Sequence, residues 1–191
     1  MPTGRQAAVR PLNPMQTQKP KRKPIRLREF DYSSPSDYFI TICSHGRECI
    51  FGEIIYGEMV LNDLGKIVEE EILNTQKIRN NISIDIYSIM PNHIHLIMSI
   101  LCDDRRGDPV DRPDSRATQR VAPTLKSDTI GSIIGQIKSI SSKRTGINLF
   151  QRNYHEHIIR NDKSYDEIYT YIESNPQTWD RDRNHPTIYK S

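Results

Sequence analysis

The chain has 191 residues, with 27 Lys and Arg against 24 Asp and Glu, which is enough for one packed domain with extensions and is only mildly basic. Its three cysteines are odd in number and lack C-x-x-C spacing. That excludes a disulfide framework and a cysteine-rich zinc site and points to a reducing cytoplasm. No apolar stretch approaches the roughly 20 residues of a membrane span, so no membrane partner is expected.

Residues 1–28 hold eight basic residues and no acid, with prolines at 2, 11, 14, 20 and 24. They read as a disordered basic arm, and they lack the Ser-rich, amphipathic character of a mitochondrial presequence. A domain is expected over 29–180, interrupted at 103–127 by DDRRGDPVDRPDSRATQRVAPTLKS, a mobile linker without aromatic residues. Residues 181–191 would form a short C-terminal tail. Inside the domain, DYFITICSHG from Asp37 is a predicted strand, rich in β-branched and aromatic residues. CIFGEIIYGEMVLN reads as two short strands about a Tyr56-Gly57 turn. A helix is predicted to open near Asn62, with Ile67, Val68, Ile72 and Leu73 on one side and a run of glutamates on the other. ISIDIYSIM alternates from 82 to 90, Pro91-Asn92 turns, and HIHLIMSIL returns beside it. Past the linker, Asp128 would cap a helix carrying Ile130, Ile133, Ile134, Ile137 and Ile140 at helical spacing. Strands with two amphipathic helices against one face suggest an α+β sandwich, and there are no internal repeats.

Two stretches carry chemistry. In MPNHIHLIM, at 90–98, a strand would set His93 and His95 side by side on one face while Ile94 and Leu96 point into a core. Neutral imidazole is the commonest side-chain metal ligand; the alternative is a half-exposed strand that happens to carry two histidines. In QRNYHEHIIRNDKSYDEIYTYIESNPQTW, Asn161 or Asp162 would cap a helix whose Tyr165, Ile168, Tyr169 and Ile172 form a buried stripe. Pro176 ends that helix at Asn175. Tyr171 lies roughly 110° from the centre of the stripe, and Asn175, one turn on, sits about 40° from Tyr171. The residues alone also allow an exposed aromatic and a C-cap asparagine. His155-Glu156-His157 is a second H-x-H, and with the first pair it would make a four-histidine zinc site.

The combination narrows these choices. M-P-N-H-I-H-L at 90–96, then F-Q-R-N-Y-H-E-H-I-I-R-N at 150–161, then Y-I-E-S-N-P at 171–176, resembles the single-tyrosine HUH transposases, most closely the REP-associated tyrosine transposases. Weaker similarity begins near Leu27 in LREFDYSSPSDYFITIC and continues through CIFGEI. Phe150 departs from the tryptophan common in that family, and His155 from a more usual aromatic. The resemblance implies a ferredoxin-like (RRM-like) antiparallel sheet with helices packed on one face. It implies that His93, His95 and Asn175 hold Mg²⁺ or Mn²⁺ and that Tyr171 is the nucleophile. Mixed nitrogen and oxygen ligands suit Mn²⁺ better, although availability favours Mg²⁺.

The implied substrate is single-stranded or hairpin DNA of repeated palindromic elements. It would be cut through a 5′-phosphotyrosine that a second strand end can reverse without ATP. The protein would then be a monomer or homodimer associated with the nucleoid. Lys138, Lys143, Arg144, Arg152 and Arg160 are candidate DNA contacts, with solvated surface charge as the alternative, and the arm would add salt-dependent affinity for phosphates. Two further readings are a domesticated hairpin-binding protein without cleavage activity and a zinc-dependent hydrolase.

Overall fold

The computed structural model describes residues 35–101 and 129–189; the expected arm at 1–28 and linker at 103–127 lie outside the described residues. In chain order the elements are β1 (Ser36–Cys43), β2 (Gly52–Ile55), β3 (Glu58–Leu61), α1 (Asp63–Ile78), β4 (Ile82–Met90), β5 (His93–Ile100), α2 (Ile130–Thr145), β6 (His155–Ile159) and α3 (Asp162–Ser174). A 3-10 turn (Pro176–Arg181) and a short α4 (Pro186–Tyr189) follow. Four strands form an antiparallel sheet in the order β4-β5-β1-β6. With α1 and α2 as the two crossovers, this is the ferredoxin-like arrangement, and the β2–β3 hairpin is inserted between β1 and α1.

The hairpin turns as the sequence signals. Tyr56 (φ 52) and Gly57 (φ 82) both adopt the left-handed conformation that a two-residue hairpin loop requires. Side-chain caps open the helices. Asn62 accepts from the Gly65 amide at 3.0 Å and Asn161 from the Ser164 amide at 2.9 Å. At α2 the cap is Thr129, whose hydroxyl accepts from the Ser132 amide at 3.3 Å, in place of the expected Asp128.

β5 decides how the layers stack. HIHLIMSI carries Ile94, Leu96, Met98 and Ile100 on one face and Ile97 on the other, and all eight residues are buried, so neither face is left to water. Ile94, Leu96, Met98 and Ile100 enter the larger core with Val68 and Ile72 of α1 and Ile130, Ile133, Ile134 and Ile137 of α2. Ile97 faces the other way, into a smaller core with Ile159, Ile172 and Ile168. Two helices therefore share one face as expected, and α3 covers the opposite face.

Two stripe assignments shift for tertiary reasons. Leu73 is 40% exposed while Glu71 is buried, because Arg144 reaches across to Glu71 and Glu70 at 2.6 Å each. Tyr169 is also exposed, and Tyr165 instead turns its hydroxyl to Asp85 at 2.9 Å. Among the described residues no helix is long and apolar enough to cross a membrane.

Candidate metal and tyrosine site

The strand period puts His93 and His95 on the sheet face that α3 covers. In the antiparallel register His93 lies beside Cys43, and His95 lies between Thr41 and Ser88. Both rings are buried, with centroids 4.5 Å apart. The last turn of α3 lowers Tyr171 and Asn175 onto them. Pro176 stops the helix, the 3-10 turn reverses the chain, and the Asp182 amide closes on the Trp179 carbonyl at 2.9 Å. That reversal carries Asp182 back over the histidines. Trp179 walls the site, its ring 6.0 Å from that of His93.

Hydrogen bonds settle which imidazole nitrogen faces inward. The Asn92 amide donates to the carbonyls of Asn184 at 2.8 Å and Arg47 at 3.2 Å. Its oxygen is thereby turned to His93 Nδ1 at 2.8 Å. An acceptor there requires the proton on Nδ1 and leaves the lone pair on Nε2. His93 Nε2 is buried without a hydrogen-bond partner among the described residues and lies 3.9 Å from Asp182 Oδ2. Burial outweighs the attraction of Asp182 and holds the His93 imidazole down to about 4. The contact is therefore a neutral ring against a carboxylate, with no charged pair. At His95, Thr41 Oγ1 lies 2.9 Å from Nδ1 and the Tyr171 hydroxyl 3.2 Å from Nε2, and burial holds the imidazole well below its ordinary value.

Asn175 has αR backbone angles, so it is not a left-handed cap, and its side chain is fully buried. Its Nδ2 donates to Asp182 Oδ2 at 3.3 Å, while Oδ1 has no hydrogen-bond partner among the described residues. The Tyr171 hydroxyl also donates to Asp182 Oδ2 at 3.3 Å; Asp182 Oδ1 accepts from the Asn184 amide at 2.6 Å. Burial and the Asp182 charge push the Tyr171 hydroxyl up to about 12. Ligand atoms of His93, His95 and Asp182 lie within 4.8 Å of one another.

These donors fit a divalent cation. The bare Nε2 of His93 and the orphaned amide oxygen of Asn175 lie buried beside the Asp182 carboxylate, and a cation would offset that arrangement. The structure brings together His93, His95, Asn175 and Tyr171 as the sequence suggested, and adds Asp182, Asn92 and Asn184. Asp182 had no local signal, since DRDRN reads as solvated tail.

The other candidates lie apart from this cluster. Lys138 donates to the carbonyls of Arg152 and Asn153 at 3.3 and 3.2 Å, and Arg144 is engaged by two glutamates. Lys143, Arg152 and Arg160 are exposed. His155 and His157 are exposed on β6 and are not in the ligand group. A cavity of about 500 Å³ opens beside Tyr171 and His95, over the β1–β6 half of the sheet. None of the five basic residues lines it.

No family model matches the chain. A protein of Haemophilus influenzae (strain ATCC 51907 / DSM 11121 / KW20 / Rd), itself uncharacterized, is 42% identical over 167 residues, covering 85% of this chain and 92% of its own. The solved structure of a REP-associated tyrosine transposase bound to a REP hairpin is similar over 74% of this chain, with a TM-score of 0.50 and 21% identity. The similarity spans 66% of that protein's length, just under two thirds, and at this identity it establishes the fold. The chain therefore belongs to one family with the Haemophilus influenzae protein, built on the α+β fold of a REP-associated tyrosine transposase.

Proposed function

We propose that the protein is a metal-dependent transposase that cuts and rejoins single-stranded, hairpin-forming DNA at the nucleoid. One observation carries the reading: the Tyr171 hydroxyl stands 3.2 Å from His95 Nε2, at the edge of a buried, cation-deficient cluster of His93, His95, Asn175 and Asp182. A stability role needs neither the bare nitrogen on His93 nor the orphaned oxygen on Asn175, each of which costs roughly 1–3 kcal/mol if left unpaired.

His93 Nε2, His95 Nε2, Asn175 Oδ1 and Asp182 Oδ2 would hold Mg²⁺ or Mn²⁺. When bound, the ion supplies Lewis-acid polarisation of a phosphate and positive charge near the tyrosine oxygen. The chain's own residues do the rest. Tyr171 Oη forms a bond to phosphorus as the bond to the 3′ oxygen breaks, giving a 5′-phosphotyrosine and a 3′ hydroxyl. The phenol proton leaves to solvent as the bond to phosphorus forms, and the departing 3′ oxygen takes up a proton from solvent. Phe39 stacks on His95 at 5.2 Å and meets Tyr171 edge-on at 6.2 Å, which limits the rotation of both rings. The phosphotyrosine conserves the phosphodiester energy, so a second 3′ hydroxyl can reverse the step.

The test is a labelled hairpin oligonucleotide incubated with the protein and Mn²⁺. A covalent adduct surviving denaturing electrophoresis is expected, and none with Tyr171→Phe. An adduct of equal yield in the Phe variant would remove Tyr171 from the role.

A further inference from the structure

The cavity beside Tyr171 is unlike the cation cluster it adjoins. Its floor is β1, through Phe39, Thr41 and Cys43, and one wall is the segment leading into β6. That segment is fixed in place: the His45 amide donates to the Leu149 carbonyl at 2.8 Å and the Gln151 amide to the Cys43 carbonyl at 3.0 Å. Lys138 holds its next two carbonyls from the other side. Besides Tyr171, the lining offers the aromatic rings of Phe39 and Tyr154, the amides of Gln151, Asn153 and Asn184, and the guanidinium groups of Arg47 and Arg183. Arg47 is oriented by Asn184 Oδ1 at 2.8 Å.

Each part of this set suits one part of a nucleotide. Aromatic faces stack unpaired bases whatever their sequence. Side-chain amides present a donor and an acceptor together and read base edges. Guanidinium groups bind phosphate through a planar fork. The volume lies in the roughly 300–1,000 Å³ range of small-ligand pockets. α3 covers one half of the sheet face and the cavity lies over the other, a recess with room for an unstacked base.

We propose that this cavity seats one unpaired nucleotide next to the phosphate presented to Tyr171, with Gln151 and Asn153 reading its base and Arg47 and Arg183 holding its phosphate. The inference rests on the strand-cleavage reading for the identity of the ligand, so its test is separated from cleavage. Cys43 lines the cavity and is half-buried, whereas Cys49 is exposed elsewhere. In Tyr171→Phe protein, which leaves the strand uncut, the rate of maleimide labelling at each cysteine can be followed by mass spectrometry. A hairpin oligonucleotide with a single-stranded extension should slow labelling of Cys43 at least fivefold and leave Cys49 unchanged. Oligonucleotide bound by fluorescence anisotropy without protection of Cys43 would overturn the proposal, as would no binding at all.

In protein that retains Tyr171, cleavage of four substrates differing only in the base beside the cut should vary by tenfold or more. In the Gln151→Ala/Asn153→Ala double variant that spread should fall below threefold. Discrimination that survives the double substitution would also overturn the base-reading role. Protection of Cys43 without any adduct in Mn²⁺ would leave the nucleotide seat standing and remove the strand-cleavage reading instead.

Discussion

Asn92 makes a sharp prediction because its three hydrogen bonds do two separable things. Its amide donates to two backbone carbonyls and its oxygen fixes the His93 tautomer, all at a site 1% exposed. Asn92→Ala strands two carbonyls and one imidazole N–H. At about 1 kcal/mol net per neutral hydrogen bond, the cost is roughly 3 kcal/mol, a large part of a typical 5–15 kcal/mol. Losing the partner that orients a metal-ligating histidine typically weakens metal binding ~10–100-fold. Asn92→Asp separates the two effects: its carboxylate still accepts from His93 Nδ1, but it donates to neither carbonyl. Urea unfolding without metal should place both variants well below wild type, while Mn²⁺ titration should find weak binding only in the Ala variant. An Asn92→Ala protein with wild-type Mn²⁺ affinity would refute the tautomer argument, whatever its stability.

The remaining predictions bear on the site and the fold. Asn175→Ala should raise the Mn²⁺ concentration needed for cleavage, while Asn175→Asp, which keeps an oxygen donor of similar reach, should retain partial activity; unchanged metal dependence in the Ala variant would return Asn175 to a packing role. The metal-free protein should be sensitive to acid. His93 is neutral above its ordinary value of 6.5 in both folded and unfolded chains, but between 6.5 and about 4 only the unfolded chain takes up the proton. Stability is thus lost as pH falls through that window, at up to about 1.4 kcal/mol per pH unit. Urea midpoints against pH should show a flatter slope for His93→Gln, and parallel slopes would contradict this. Gly65→Ala should destabilise by ~2 kcal/mol or more by thermal unfolding, because an added Cβ would lie 2.2 Å from the Phe51 carbonyl oxygen.

What was legible in the sequence was what periodicity carries. A period of two placed His93 and His95 on one face, and a period of 3.6 placed Tyr171 beside Asn175, because both pairs sit inside single regular elements. The pairing of the strands on either side of Pro91-Asn92 and the Tyr56-Gly57 turn followed from alternation and turn chemistry. Features set by distant chain were not legible. Glu71 is buried because of Arg144, which no local pattern around α1 announces. Asp182 enters the site through the reversal after Pro176, whose geometry depends on packing Trp179 against His93. The covering of the second sheet face by α3 was not legible either, because Ile97 is the one apolar residue among His93, His95 and Ser99 on that face of β5.

The claim that Tyr171 is a metal-assisted nucleophile is tested most directly by locating the covalent bond. Protein incubated with a hairpin oligonucleotide and Mn²⁺ would be digested with protease and nuclease and the adduct mapped by mass spectrometry. The expected result is a single nucleotide joined through its 5′ phosphate to Tyr171, lost when the metal is chelated. A nucleotide on any other residue, a 3′ linkage, or an adduct that persists in chelator would contradict it.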